Sequence, residues 1–79
     1  MFIRKLSPGE RAAEKADRIC IDRLGDGRIS WTGSVAVGVK PVTGTSPADF
    51  ATIQEAETDA IAWARVHGAT ELQIEGPHA

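Results

Sequence analysis

Two histidines, His67 and His78, and one cysteine, Cys20, are the residues of this 79-residue chain best suited to nucleophilic or metal chemistry. A Cys/His pair would supply a thiolate and its base. All three together would suit a soft metal, but they lack the close ligand spacing of zinc sites. His67 reads better as a helix-end residue near the negative pole of the helix dipole, and His78 as a tail residue. Cys20 reads as a small inert strand residue, because a reactive thiol needs a lowered pKa. Asp22 with Asp26-Gly27 lacks the alternating ligands and distal glutamate of a calcium loop, so a hairpin turn is the better account. Gly25, Gly27, Gly33 and Gly38 fit neither dinucleotide nor triphosphate spacing. Glu55, Glu57, Glu71 and Glu75 offer carboxylates for acid–base work, yet nothing apolar beside them is set to raise a pKa. The expectation is a non-enzyme with no catalytic residues, no cofactor and no metal.

The elements that carry these residues are clearer than any chemistry. Thr52 to Ile74 (TIQEAETDAIAWARVHGATELQI) reads as an amphipathic helix, a glycine stop and a strand. Thr52 and Glu55 have capping-box spacing. Ile53, Ala56, Ala60, Trp63, Ala64 and His67 recur at helical steps on one face. Gly68 stands where a left-handed C-terminal cap is wanted. Glu55, Glu57 and Asp59 near the start, and Arg65 and His67 near the end, match the dipole. The alanines let this helix, about 52–67, lie close to a sheet with Trp63 as its bulky anchor. A start at Ser46-Pro47 would place Glu57 near the middle of the apolar stripe, so the later start is preferred.

In chain order, Met1 to Leu6 reads as an edge strand or as a tail docked by Phe2 and Ile3. Ser7-Pro8-Gly9-Glu10 has the signature of a helix start, but RAAEKAD behind it has almost no large apolar residue. Residues 1–17 are therefore expected to be a flexible or short helical N-terminal segment. From Arg18 the period becomes two, with Ile19 and Ile21 on one face and Cys20 and Asp22 on the other. Gly25-Asp26-Gly27 marks a hairpin. Its second strand puts Ile29, Trp31, Val35, Val37 and Val39 inside, and Ser30, Thr32, Ser34 and Ala36 outside. Gly33 interrupts that row and marks a bulge or a close backbone approach. Lys40 to Asp49, with two prolines, a glycine and several hydroxyls, reads as a loop, and Phe50 as a plug returning to the core. Leu72 and Ile74 alternate with Glu71, Gln73 and Glu75 in a half-buried strand, before a tail from Gly76.

The architecture predicted is α+β over one small domain, 1–79. An antiparallel hairpin and a C-terminal strand form a three- or four-stranded sheet packed on one main helix, with a short N-terminal helix as an open alternative. The crossover is expected to set the last strand beside the first and antiparallel to it. The face away from the helix, with Cys20, Asp22, Ser30, Thr32, Ser34, Glu71, Gln73 and Glu75, is polar and should meet water or a partner.

Composition limits the function classes. The hydrophobic fraction is 42% and the charged fraction 25%, which fits a globular chain. A lone cysteine rules out an internal disulfide and suits a reducing compartment. No apolar run approaches a membrane span, and no signal-peptide core follows Met1. A chain complete from Met1, without membrane association and cytoplasmic in a bacterial or phage-infected cell, is expected. The net charge is −2, unevenly spread. Residues 1–40 carry eight Lys/Arg against five acids, a balance of +3, and residues 41–79 carry Arg65 against six acids, a balance of −5.

That balance weighs against nucleic acid, which rewards many positive contacts. Arg18, Arg23 and Arg28 do bracket a β-ribbon, and the sheet-plus-helix pattern is similar to the arm-binding domains of phage integrases. The exposed strand face, however, lacks stacking aromatics. The segment Phe50 to Ala69, F-x-T-x-x-E-A-x-x-x-A-x-x-W-A-x-x-H-G-A, resembles a group of small bacterial α+β domains without assigned activity. In size, charge and architecture the chain also resembles the small phage-encoded anti-CRISPR proteins. That second resemblance implies a non-enzymatic inhibitor that docks on a type I CRISPR surveillance complex and blocks target DNA. Carboxylates on a rigid scaffold would pair with the lysines and arginines that hold phosphates. Glu55, Asp59, Glu71 and Glu75 are the expected contact acids. The rival expectation is a small bacterial accessory domain that self-associates through a strand edge, and the oligomeric state expected of the chain is a monomer or weak homodimer.

Overall fold

Periodicity and capping decide the local elements. The computed structural model describes residues 1–7, 9–13, 16–37 and 40–77. In chain order the elements are β1 (Phe2–Lys5), β2 (Arg18–Arg23), β3 (Ile29–Val37), β4 (Lys40–Thr45), α1 (Ile53–Val66) and β5 (Glu71–Glu75). The expectations for Pro8, Glu14, Lys15, Gly38, Val39, His78 and the Val37 side chain lie outside the described residues. The class is α+β, one helix packed on a mixed sheet.

Helix α1 begins and ends where its sequence signals stand. Thr52 is the N-cap, and its side chain accepts the Glu55 backbone N–H at 3.1 Å. The other arm of the box differs from expectation, because the Glu55 carboxylate meets the Thr52 hydroxyl, at 3.0 Å, and not the Thr52 amide. At the far end Gly68 takes a φ of +88°. The Ala69 N–H reaches Ala64 O and the Gly68 N–H reaches Arg65 O, the paired bonds of a Schellman stop. Ala56, Ala60 and Ala64 are fully buried, so the helix backbone lies close to the sheet.

Glu57 departs from the expected surface position. It is only 5% exposed and ion-paired at 3.0 Å with Lys5 Nζ. The helix does start late, as preferred, yet Glu57 is buried, and Lys5 of β1 supplies its countercharge.

The hairpin forms as read. Gly27, at φ +86°, closes a turn in which the Gly27 N–H donates to Leu24 O and the Leu24 N–H donates to Arg28 O. Asp26 stiffens it by accepting from both the backbone N–H and the Nε of Arg28, at 3.0 and 2.6 Å. Ile19, Ile21, Ile29, Trp31 and Val35 line the buried face together with Leu72 and Ile74. Phe50 exchanges two backbone hydrogen bonds with Ile29 and packs against this core, as expected of a plug.

Three expectations need correction. The stretch expected as a loop from Lys40 contains β4, paired antiparallel to β3, so the sheet has five strands in the order β1-β5-β2-β3-β4. Pro41 is tolerated there because an edge strand can turn a missing N–H outward. The last strand is also not antiparallel to the first. β5 lies between β1 and β2 and runs parallel to both. The reason is that α1 carries the chain from β4 back across β3 and β2, so the strand that follows repeats the direction of β4. Finally, residues 9–13 are not helical. Glu10 does reach back to the Ser7 N–H, at 3.0 Å. Beyond it, however, the backbone amides of Ala12 and Ala13 are taken by Glu75 and Gln73, at 3.2 and 3.1 Å.

Met1–Leu6 resolves in favour of the edge strand. Phe2 does not dock it, being 70% exposed, whereas Ile3 packs on the core and Leu6 is buried. Gly33 proves to be a close approach and not a bulge, since the pairing register runs through it without a break. It faces Gly44 across the β3–β4 pair, and Trp63 lies over both. A Cβ on Gly33 would come within 2.7 Å of the indole, and one on Gly44 within 2.6 Å.

Candidate binding surfaces

The four acids expected to make contacts fall on two sides of the sheet. Glu55 and Asp59 sit one turn apart on α1. Glu71 and Glu75 alternate with the buried Leu72 and Ile74 on β5, and therefore project from the face away from the helix. The fold thus makes two pairs and no single patch. None of the four forms an ion pair among the described residues, whereas Glu10, Asp26, Asp49 and Glu57 each do.

Their local partners differ. Asp59 is half-buried, and its Oδ2 accepts the indole N–H of Trp31 at 2.9 Å. Glu55 is exposed, and its Oε1 accepts the Thr52 hydroxyl. Glu75 is half-buried and accepts the Ala12 N–H. Glu71 is exposed, opposite Phe2 in the β1–β5 pair. Between them, Glu55 and Asp59 border a hollow of about 510 Å³ together with Phe50, Thr52, Thr58 and Ala62. Sequence reading missed the contribution of Phe50 and Ala62 to this surface. Phe50 reads from the sequence as a core plug, and Ala62 lies off the apolar stripe.

The sheet face away from the helix is only partly open. The segment through Ala12 and Ala13 lies across β5, held by the side chains of Gln73 and Glu75. Asp17 ties the next stretch down, its Oδ1 accepting the Ala36 N–H at 2.9 Å. Beside this cover, Arg18, Cys20, Thr32, Ser34, Thr43 and Thr45 line a trough of about 500 Å³ over β2, β3 and β4.

The side chains suited to catalysis are kept apart. Cys20 is on the trough face, while His67 packs at a tilt against Trp63 in the helix layer with ring centroids 4.9 Å apart. The sheet lies between them. Burial pushes the Cys20 thiol above its ordinary value, and the nearby Asp22 and Glu75 carboxylates push the same way. That is the reverse of what activates a nucleophile. Among the described residues no group of three His, Cys, Asp or Glu is placed to hold a metal ion. No described helix is long and apolar enough to cross a membrane. Of the ribbon arginines, Arg28 is engaged by Asp26 and Asp49, which holds its guanidinium pKa up and takes it away from any phosphate.

Comparison of the chain with protein-family models, with curated proteins and with solved structures found no match.

Proposed function

We propose that this chain is a non-enzymatic, protein-binding inhibitor that docks through acidic side chains on the basic surface of a larger assembly. The observation that carries the reading is the state of its carboxylates. Glu55, Asp59, Glu71 and Glu75 have no cation of their own among the described residues, whereas Glu10, Asp26, Asp49 and Glu57 are paired. Such groups on rigid elements are available to the lysines and arginines of a partner, and charge complementarity then sets both encounter rate and register. The resemblance to anti-CRISPR proteins nominates a type I CRISPR surveillance complex as that partner, with its DNA-holding cations as the contacted groups.

The test is recovery of an expressed type I surveillance complex on the tagged chain, washed at low and at high salt. Stoichiometric recovery that is lost in high salt, and lost on reversing the four acids to lysine, supports the inhibitor. Recovery of the tagged chain alone sinks it for that complex. Self-association is the second reading, favoured by the free edge of β1 with Phe2 exposed. Sedimentation of the free chain distinguishes it, because edge pairing depends only weakly on salt.

A further inference from the structure

We infer that β4 is the seam through which two copies of this chain pair, edge to edge and antiparallel, into one continuous sheet; this rests on the self-association reading above and places the contact at the end of the sheet opposite β1. β4 ends the strand order on that side, and no described strand pairs its outer edge. The Ser46 N–H donates to Trp31 O, and Lys40, Val42 and Gly44 stand at even steps from it. Bonding along an antiparallel strand alternates, so these residues turn their backbone groups to β3. Pro41, Thr43 and Thr45 therefore turn theirs outward. Ala36, opposite Pro41, agrees, because its N–H points away from β4 to Asp17 Oδ1.

Self-complementarity selects a second copy as the occupant. A two-fold axis at Thr43 sets this residue against its own counterpart, where each N–H meets the other's carbonyl. The same register puts Pro41 opposite Thr45, so the proline removes only its own bond and its carbonyl still accepts the Thr45 N–H. Thr43 and Thr45 are exposed on the polar face, where cross-strand threonine pairs favour such a contact. On the helix face Val42 falls opposite Gly44 of the second copy, beside the Trp63 indole that lies over that glycine. Charge agrees with this register. The stretch from Pro41 to Thr45 carries none, and Lys40 faces segment 46–49 of the other copy, whose one charge is the Asp49 carboxylate. β1 is shorter, and its Arg4 and Lys5 supply the charge that guards an edge.

The test follows amide exchange of the isotope-labelled full chain at rising concentration, beside sedimentation equilibrium. The expected result is a monomer–dimer equilibrium in which the Thr43 and Thr45 amides gain protection with concentration. The control amides are Ile3 and Lys5, which β1 turns outward because Phe2 and Leu6 donate to the β5 side. Their exchange should not change. Thr43→Lys sets two ammonium groups face to face at an exposed position and should weaken the dimer by about tenfold. Phe2→Lys, on β1, should leave it as it was. A dimer unmoved by Thr43→Lys overturns the assignment. Loss of the dimer in Phe2→Lys, with protection at Ile3 and Lys5, moves the seam to β1 and leaves self-association standing. A chain monomeric at every concentration, with both edges exchanging freely, rejects self-association and this seam with it.

Discussion

Trp31 and Asp59, 28 positions apart in sequence, are joined by a 2.9 Å hydrogen bond from the indole N–H to the carboxylate. The indole is 1% exposed, so its donor would be orphaned without this acceptor. One bond thus fastens α1 to β3.

Replacing that acceptor should cost stability. Asp59→Leu leaves the indole N–H buried without a partner, and a loss of about 1–3 kcal/mol is expected. Asp59→Asn, whose amide oxygen can still accept, should stay near the parent chain. Urea denaturation of the two variants checks the difference, and equal stabilities would remove the bond from the account.

Gly33 and Gly44 make the seat of Trp63. Gly44→Ala puts a methyl group into the indole, where three ring atoms already lie within 2.8 Å of the Cβ position. A destabilisation of about 1–3 kcal/mol is expected from this overpacking. In a Trp63→Leu background the same substitution should cost distinctly less. A double-mutant cycle by denaturant melts measures that coupling.

The Lys5–Glu57 pair pins the first strand to the helix. Lys5→Met removes the cation from a carboxylate that is only 6% exposed. A loss of about 1–3 kcal/mol should follow. The double change Lys5→Met with Glu57→Leu should recover most of it, since it removes the buried carboxylate that the single change leaves without its cation. Amide exchange on β1 would report the same order, with the single variant opening fastest.

Cys20 should be a sluggish thiol. Its folded-state pKa is raised, by burial first and then by Asp22 and Glu75. Alkylation by iodoacetamide is therefore expected to have its midpoint at higher pH than in the denatured chain. The sign for stability follows from the same shift. Below the ordinary thiol value both states hold the proton and the group is silent. Above it the unfolded chain ionises first, so the group's contribution falls with rising pH until the folded thiol also titrates. Cys20→Ser should flatten that decline at alkaline pH, and an unchanged profile would assign the decline elsewhere.

The elements whose signals are local can be read directly from neighbouring residues. Thr52, Glu55 and Gly68 set both ends of α1, because caps satisfy backbone groups only a few residues away. Gly25-Asp26-Gly27 set the hairpin, and the alternation around Ile19, Trp31, Leu72 and Ile74 set which face is inside. Tertiary structure decided the rest, wherever the partner is distant in the chain. β4 is a strand despite Pro41 and Gly44, because β3 supplies its ladder and Trp63 fills the space above the glycine. Residues 9–13 leave the helix that Ser7 and Glu10 announce, because Glu75 and Gln73 claim the amides of Ala12 and Ala13 from 63 and 60 positions away. Glu57 is buried because Lys5 meets it there, and the four candidate acids divide because strand alternation and helix placement send them to opposite faces. Local hydrogen bonds are written in neighbouring residues, while long-range pairing is settled only when the sheet closes under the helix.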